Sequence, residues 1–277
     1  MFQECGGKPE GRVSDLAAGG FGHNSSSYET HRPGYTPQAV SIIGRAVAAV
    51  AAVGDATRYT VLELGAGTGK LTEQLVKELT PTSRYLAVDP SRNFLAALEE
   101  KSLGVETVVA SAAQLPVAAQ SVQAVVCAQS FHWFSDPDSL RSIHRVLAPG
   151  GILVLIWNKE NLNNDWRQKI FQQRLQIKRR IGANTSEIYY TGEWKNHIDR
   201  CQLFSLREYH DLPGVEFRGS LEKILSHEAT ISCYNALPPD EKEAYMEDLR
   251  AVLISWPGLD PSDMEIPYTT ELYVYVA

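Results

Sequence analysis

VLELGAGTGK, residues 61–70, decides how this chain is read. A short apolar run rich in strand-forming residues ends at a glycine. The segment KLTEQLVKEL follows, with Leu71, Leu75, Val76 and Leu79 on one helical face. Strand, glycine loop and helix in that order place a ligand at the carboxyl end of the strand, beside the free backbone N–H groups of the helix start. A nucleoside-triphosphate loop requires G-x-x-x-x-G-K-[ST]. Here the residue five before Gly69 is Leu64, and Leu71 follows Lys70 where a metal-binding hydroxyl is needed. A dinucleotide loop requires G-x-G-x-x-G, its third glycine letting the helix approach the strand. The glycines here are Gly65, Gly67 and Gly69, and the sixth position is Lys70. Both phosphate-binding readings fail on spacing. What remains is an acidic residue, Glu63, ahead of G-x-G-x-G, a local negative charge that a pyrophosphate would disfavour.

Outward from the loop the rhythm repeats. RYLAVD (84–89), ETVVAS (106–111), VQAVVCAQS (122–130) and ILVLIWN (152–158) read as strands. SRNFLAALEEK, with Phe94, Leu95 and Leu98 apolar, and DPDSLRSIHRVL, with Leu140, Ile143 and Val146 or Leu147 inward, read as helices between them. Near-continuous apolar strands separated by amphipathic helices predict a parallel sheet covered on both faces, with right-handed crossovers. Upstream, AVSIIGRAVAAVAAV predicts a helix packed on the core. Downstream the rhythm breaks. NDWRQKIFQQRLQIKRRIG reads as a helix whose basic residues lie mostly on a solvated face. PPDEKEAYMEDLRAVLISW places Tyr245, Leu249, Val252, Leu253 and Trp256 at helical spacing. TTELYVYVA alternates Leu272, Val274 and Val276 against Tyr273 and Tyr275, a strand signal, and LFSLREYHDL (203–212) is a weaker one. Two late strands after the βαβ series could add an antiparallel pair to one sheet edge, and the terminal strand suits either a covered edge or a dimer contact.

The chain has 277 residues, 44% of them hydrophobic, and a formal net charge of -7. That length supports one large domain with a substantial core. A mildly acidic chain is a poor partner for nucleic-acid backbones, and no stretch approaches the ~20 apolar residues of a membrane span. The start lacks a secretory pattern. Cys5, Cys127, Cys201 and Cys233 are scattered without metal-ligand spacing, which predicts free thiols, no metal site and a cytoplasmic setting. Residues 1–20 are expected to be a disordered tail, 21–55 a lid and helix, 56–160 the ligand-binding core, and 161–277 a substrate-shaping region that completes the sheet.

The string E-L-G-A-G-T-G resembles the first motif of the class I, Rossmann-like S-adenosylmethionine-dependent methyltransferases, in which an acidic residue precedes G-x-G-x-G. Asp89 closes the second strand 24 residues after Gly65, close to the separation of ~20 at which an acidic residue meets a ribose diol; it also reads as a helix N-cap before PSRNF. ASAAQLP (110–116) matches the loop bordering the adenine. Ser111 stands where the family often has an acidic residue, so contact with the ring falls to Ser111 and Ala112. CAQSFHWF (127–134), RVLAPGG (145–151) and YETHRPGY (28–35) are similar to a small-molecule subgroup that includes trans-aconitate methyltransferase-like proteins. The resemblance covers residues 21–158 well and the remainder loosely. It implies an α/β fold with a mostly parallel seven-stranded sheet, an antiparallel terminal strand and a helical cap, with S-adenosylmethionine as cofactor.

On that resemblance, Tyr28, Arg32, Glu63, Gly65, Ala66, Gly67, Thr68, Gly69, Asp89, Ser111, Ala112 and Gln129 are expected around the cofactor. His31, Phe131, Trp133 and Trp157 are expected at the substrate pocket, with Phe134 better suited to the core, and Asn158 sits at the rim. Displacement at a sulfonium needs alignment, a dry site and, for some acceptors, a proton acceptor. His132 is the candidate base, because imidazole titrates near neutrality; a structural histidine at a strand end is the alternative. A carboxylate acceptor needs no base, and His31, Arg32 and His132 would suit it as a clamp. A phenol, hydroxyl or carbon acid would make His132 essential. A quinone- or lipid-type methyltransferase, marked by a hydrophobic tunnel, and a cofactor-binding protein without catalysis are the competing readings.

Overall fold

The computed structural model describes residues 31–51, 58–182 and 185–277. The expected tail and Tyr28 lie outside the described residues. Helix α1 (Pro37–Ala51) precedes strand β1 (Tyr59–Leu64), and α2 (Thr72–Leu75) follows the glycine loop. Then come β2 (Tyr85–Asp89), α3 (Arg92–Glu100), β3 (Glu106–Val109), β4 (Val122–Ala128), α4 (Pro137–Val146) and β5 (Leu147–Glu160). The remainder comprises α5 (Asp165–Ile181), α6 (Thr185–Tyr190), α7 (Glu193–Cys201), β6 (Ser205–Gly219), α8 (Leu221–Ala229), α9 (Ser232–Asn235), α10 (Pro239–Ile254) and β7 (Met264–Val276).

The described strands form one seven-stranded sheet in the order β3-β2-β1-β4-β5-β7-β6. The first five are parallel, and β7 runs antiparallel to both β5 and β6. Strand order reverses between β1 and β4, which opens a crevice at their carboxyl ends. The apolar runs are continuous because successive side chains serve opposite faces. Leu62, Leu64, Val125, Cys127, Leu153 and Leu155 pack on one side. Val61, Ala124, Val126, Val154 and Ile156 pack on the other, beneath Ile43 and Val47 of α1. A separate core of Trp166, Ile170, Phe217, Leu221, Leu225, Leu249 and Leu253 holds the cap elements together.

Four local expectations change. The helix after the glycine loop is one turn, followed by a 3-10 turn at Val76–Glu78; Leu79 is already extended, with Pro81 close behind. The terminal strand is not an edge. β7 lies between β5 and β6, so its tyrosines are buried as well as its aliphatics: Tyr273 and Tyr275 join one core, Leu272 and Val274 the other. The edge strand is β6, which runs on to Gly219 through Pro213. Its ladder shifts register between Leu206 and Glu208 and again between Pro213 and Glu216. An edge and a bulge are where a sheet tolerates a proline. Finally, α5 does not keep its cations mostly in solvent. Arg167, Arg174 and Lys178 are buried, seven and then four residues apart, so they share a helix face with Ile170 and Ile177.

No described helix is long and apolar enough to cross a membrane. Among the described residues no cluster of His, Cys, Asp or Glu could hold a metal, and Cys127, Cys201 and Cys233 are free thiols.

Candidate active site

The glycine loop lies at the carboxyl end of β1 and is built by close approach. Gly65 has φ +73°, and a side chain there would come within 2.5 Å of Ser130 Cβ from the β4 loop. Gly69, at φ +84°, would collide with Leu98 of α3. Only glycine meets both conditions cheaply. The loop's donors are largely spent. Gly65 and Ala66 N–H donate to the Val88 carbonyl at 2.8 and 3.1 Å, and Gly69 N–H to the Ala66 carbonyl at 3.0 Å. Gly67 N–H donates to Asp89 Oδ2 at 2.9 Å. Four satisfied N–H groups make a poor phosphate cradle, in agreement with the spacing argument.

Glu63 is buried at the end of β1. Its Oε2 accepts from Thr72 Oγ1 at 2.5 Å and from Tyr85 OH at 2.6 Å, while no described residue donates to Oε1. Burial outweighs both hydrogen bonds and pushes the carboxyl up to about 7. The folded state therefore favours the protonated acid. Any stability Glu63 contributes is greatest below the ordinary value of 4.5 and declines as pH rises to about 7. Glu63 lines the cleft with Gly65, Ala66, Gly67 and Thr68, and these residues fit the cationic amino-acid end of S-adenosylmethionine. A cation arriving beside Glu63 should expel its proton. Cofactor affinity is thus expected to rise with pH until Glu63 of the free protein ionises, at about 7. Calorimetry near pH 6 in two buffers of different ionisation enthalpy measures the proton released; zero release removes Glu63 as the ammonium partner.

Asp89, at the end of β2, fastens this loop from outside. Besides accepting from Gly67, its Oδ1 accepts from Ser91 N–H at 2.8 Å. The N-cap of α3 is Ser91, whose hydroxyl accepts from Phe94 N–H, so the capping role read for Asp89 falls two residues later. Ser111 is exposed and Ala112 buried, at the start of a 3-10 turn after β3. Neither these two nor Asp89 is among the residues lining the cleft; all three lie at the ends of β2 and β3.

The segment after the undescribed N-terminus crosses the cleft. Arg32 donates to the Thr230 carbonyl at 3.1 Å. Asn158 Nδ2 donates to the Gly34 carbonyl at 2.7 Å, and the Gln74 amide clasps the Tyr35 backbone both ways, at 2.9 and 2.8 Å. Arg32 thereby lines the cleft, whereas His31 does not. Gln129, also lining it, holds a left-handed backbone at φ +55°, a conformation that costs of order 1–3 kcal/mol and concentrates at functional sites. Its amide donates to the Asn158 carbonyl at 2.9 Å.

His132 sits in a 3-10 turn beyond β4, within the cleft. Trp157 Nε1 donates to its Nδ1 at 3.3 Å, which leaves the ring proton on Nε2. Burial, aided by the nearby Lys178 cation, holds the imidazole down to about 3. It is neutral at physiological pH and a weak base, because its protonated form is the one the site penalises. Trp133 lines the cleft, but Phe131 and Trp157 do not. Both are fully buried: Phe131 edge-on to Trp194 at 6.1 Å between ring centroids, and Trp157 against Trp194 at 4.7 Å. The helix α7 that carries Trp194 supplies the apolar partner that turns these rings inward; Phe134, read as core, also packs there.

Beyond His132 the cleft is walled by residues that the sequence reading did not assign to the site: Glu160, Arg174, Lys178, Tyr189, Tyr190, Ser232 and Tyr268. Arg174 Nη1 donates to both Glu160 oxygens at 3.0 Å, and its Nε and Nη2 reach Glu228 at 2.9 and 2.5 Å. Arg167 Nη1 donates to Glu228 Oε1 at 2.9 Å and Nη2 pairs with Glu160. The two guanidiniums hold Glu160 down to about 2 and Glu228 well below the usual carboxylate range, against the opposing effect of burial. The recoverable sequence signal was cations at i, i+7 and i+11 on the apolar face of α5.

The fold and the loop together define a methyltransferase. A methyltransferase-domain family model matches residues 61–151. An uncharacterized methyltransferase of Schizosaccharomyces pombe is 31% identical over 248 residues, spanning 88% of this chain and 90% of that one. An uncharacterized methyltransferase of Mycobacterium tuberculosis is 34% identical over 251 residues, spanning 90% and 92%. A solved structure described as a type II methyltransferase of Anaeromyxobacter dehalogenans superposes with a TM-score of 0.56 at 16% identity, covering 88% of this chain and 97% of that one, a likeness of fold. The chain belongs to the class I S-adenosylmethionine-dependent methyltransferases, and S-adenosylmethionine is its methyl donor.

Proposed function

We propose that this enzyme methylates a carboxylate of a small organic acid. The observation that carries the reading is the character of the cleft beyond His132: it is cationic, yet its two obvious proton acceptors are disabled. Glu160 is committed to two arginines, and His132 resists protonation. S-adenosylmethionine supplies an activated methyl group, so the acceptor oxygen forms its new bond as the carbon–sulfur bond breaks and the sulfur keeps the electron pair. A carboxylate enters that reaction already ionised and no proton has to move. The protein's own residues then align and exclude water. His132 contributes its Nε2 proton as a donor to the acceptor, and Trp157 fixes that tautomer. The charged and tyrosine-lined wall also speaks against an isoprenoid tunnel, the feature that would favour a quinone acceptor.

A screen with radiolabelled methyl donor across small carboxylates, phenols and quinols tests this reading. Label is expected in carboxylates, as esters that release methanol in alkali. Label confined to alkali-stable products of phenols or quinols overturns it.

The same reading gives the cofactor ribose to Asp89, supported by its place at the end of β2 and its grip on Gly67. Asp89→Ala should weaken S-adenosylhomocysteine binding by ~1–3 kcal/mol through lost charge-assisted hydrogen bonds. Unchanged affinity by calorimetry counts against the assignment.

A further inference from the structure

We propose that Lys178 selects the acceptor, binding the carboxylate that is to be methylated through a charge-assisted hydrogen bond at the inner end of the cleft. This rests on the carboxylate reading above and names the residue that enforces it.

Three cations of α5 point into the same buried region, but only two are answered. Arg167 and Arg174 share Glu160 and Glu228 between them. Lys178, one turn further on, makes no hydrogen bond or ion pair with another described residue; its Nζ lies 5.6 Å from the centre of the Tyr190 ring. The residue is 6% exposed and lines the cleft. Leaving a buried ammonium unanswered is expensive. The network's two carboxylates each already serve both arginines, and Glu160 reaches Lys178 only through its field, so an anion in the cleft is the partner that would complete the set.

His132 lines the same cleft with its proton on Nε2, and the Lys178 charge helps to keep its ring neutral. An ammonium and a neutral N–H can hold one carboxylate while an oxygen lone pair is left for the methyl carbon. When that oxygen takes the methyl group, the carbon–sulfur bond breaks, S-adenosylhomocysteine leaves with the electron pair, and the acceptor becomes a neutral ester. Lys178 then faces no anion. The residue that captures the acid no longer holds the product, so the site discriminates substrate from product by charge.

The experiment compares succinate, citrate, benzoate and phenylacetate with their methyl esters, by calorimetry on the S-adenosylhomocysteine-loaded full chain. Wild type is expected to bind at least one acid about tenfold or more tighter than its ester. Lys178→Met should abolish that preference, and Lys178→Arg should keep most of it. Binding of S-adenosylhomocysteine should be unchanged in both variants, which verifies their folding. Equal acid binding by wild type and Lys178→Met, or no acid binding by wild type, overturns the proposal. Acids that bind through Lys178 but never accept label leave the anion site standing and remove the carboxylate-methylation reading. Acids that accept label with an unaltered KM in Lys178→Met do the reverse.

Discussion

Glu228→Ala should destabilise the fold by about 3–5 kcal/mol, the range for breaking a buried ion pair from one side. Glu228 is fully buried, as is Arg167, and Arg174 is 3% exposed. Removing this carboxylate would leave two guanidiniums sharing Glu160 alone, with Arg167 sealed from water and Arg174 meeting it only where it borders the cleft. Glu228→Gln keeps the shape but loses the charge and turns one acceptor oxygen into an NH2 donor facing a guanidinium, so it should fall between wild type and alanine. Urea unfolding reads both, and a loss below 1 kcal/mol for alanine would mean that water reaches the network.

The pH dependence has a definite sign. A carboxyl whose folded value is depressed stabilises the protein above its unfolded value, and that stability disappears as pH falls toward the folded one. For Glu160 the window runs from 4.5 down to about 2. Glu228 adds to the same acid loss, and Glu228→Gln should flatten it.

Gly65→Ala carries the second large effect, on the cofactor. A non-glycine residue in the left-handed region costs roughly 1–2 kcal/mol, and here the new methyl group also meets Ser130 Cβ. Ser130 is pinned by its hydroxyl's 2.7 Å hydrogen bond to the Leu64 carbonyl, so β1 and the β4 loop must part. S-adenosylhomocysteine affinity should fall about 100-fold, with unfolding shifted far less than in Glu228→Ala. Adding Ser130→Gly removes the collision but not the φ strain and should restore part of the binding. Full binding by Gly65→Ala would disconnect the loop from the cofactor.

The half of the site nearest the glycine loop was legible because its information is local. Strand, glycine spacing and helix are contiguous, and the acidic residue at the next strand end follows at a separation set by one βαβ unit. The half beyond His132 was not legible, because its information is distant. Arg174 finds Glu228 54 residues away and Arg167 finds it at 61; read alone, each of these arginines resembles a solvated charge. Phe131 and Trp157 misled for a related reason. A strand-end aromatic faces a ligand or a core according to what packs over it, and Trp194 on α7 packs over both. The same ring helps to bury the tyrosine face of β7, with Tyr273 edge-on to Trp194 at 5.0 Å between ring centroids.

That outer strand has a colloidal consequence. A long, straight sheet edge is a template on which a second chain can add and fibres can grow. Here Pro213 lacks an N–H, the ladder shifts register at both bulges, and Arg207, Glu208, Asp211, Glu216 and Arg218 place charge along the rim. A strand seeking to extend the sheet would find its pairing broken into short, charged pieces, and the net charge of -7 adds repulsion between copies.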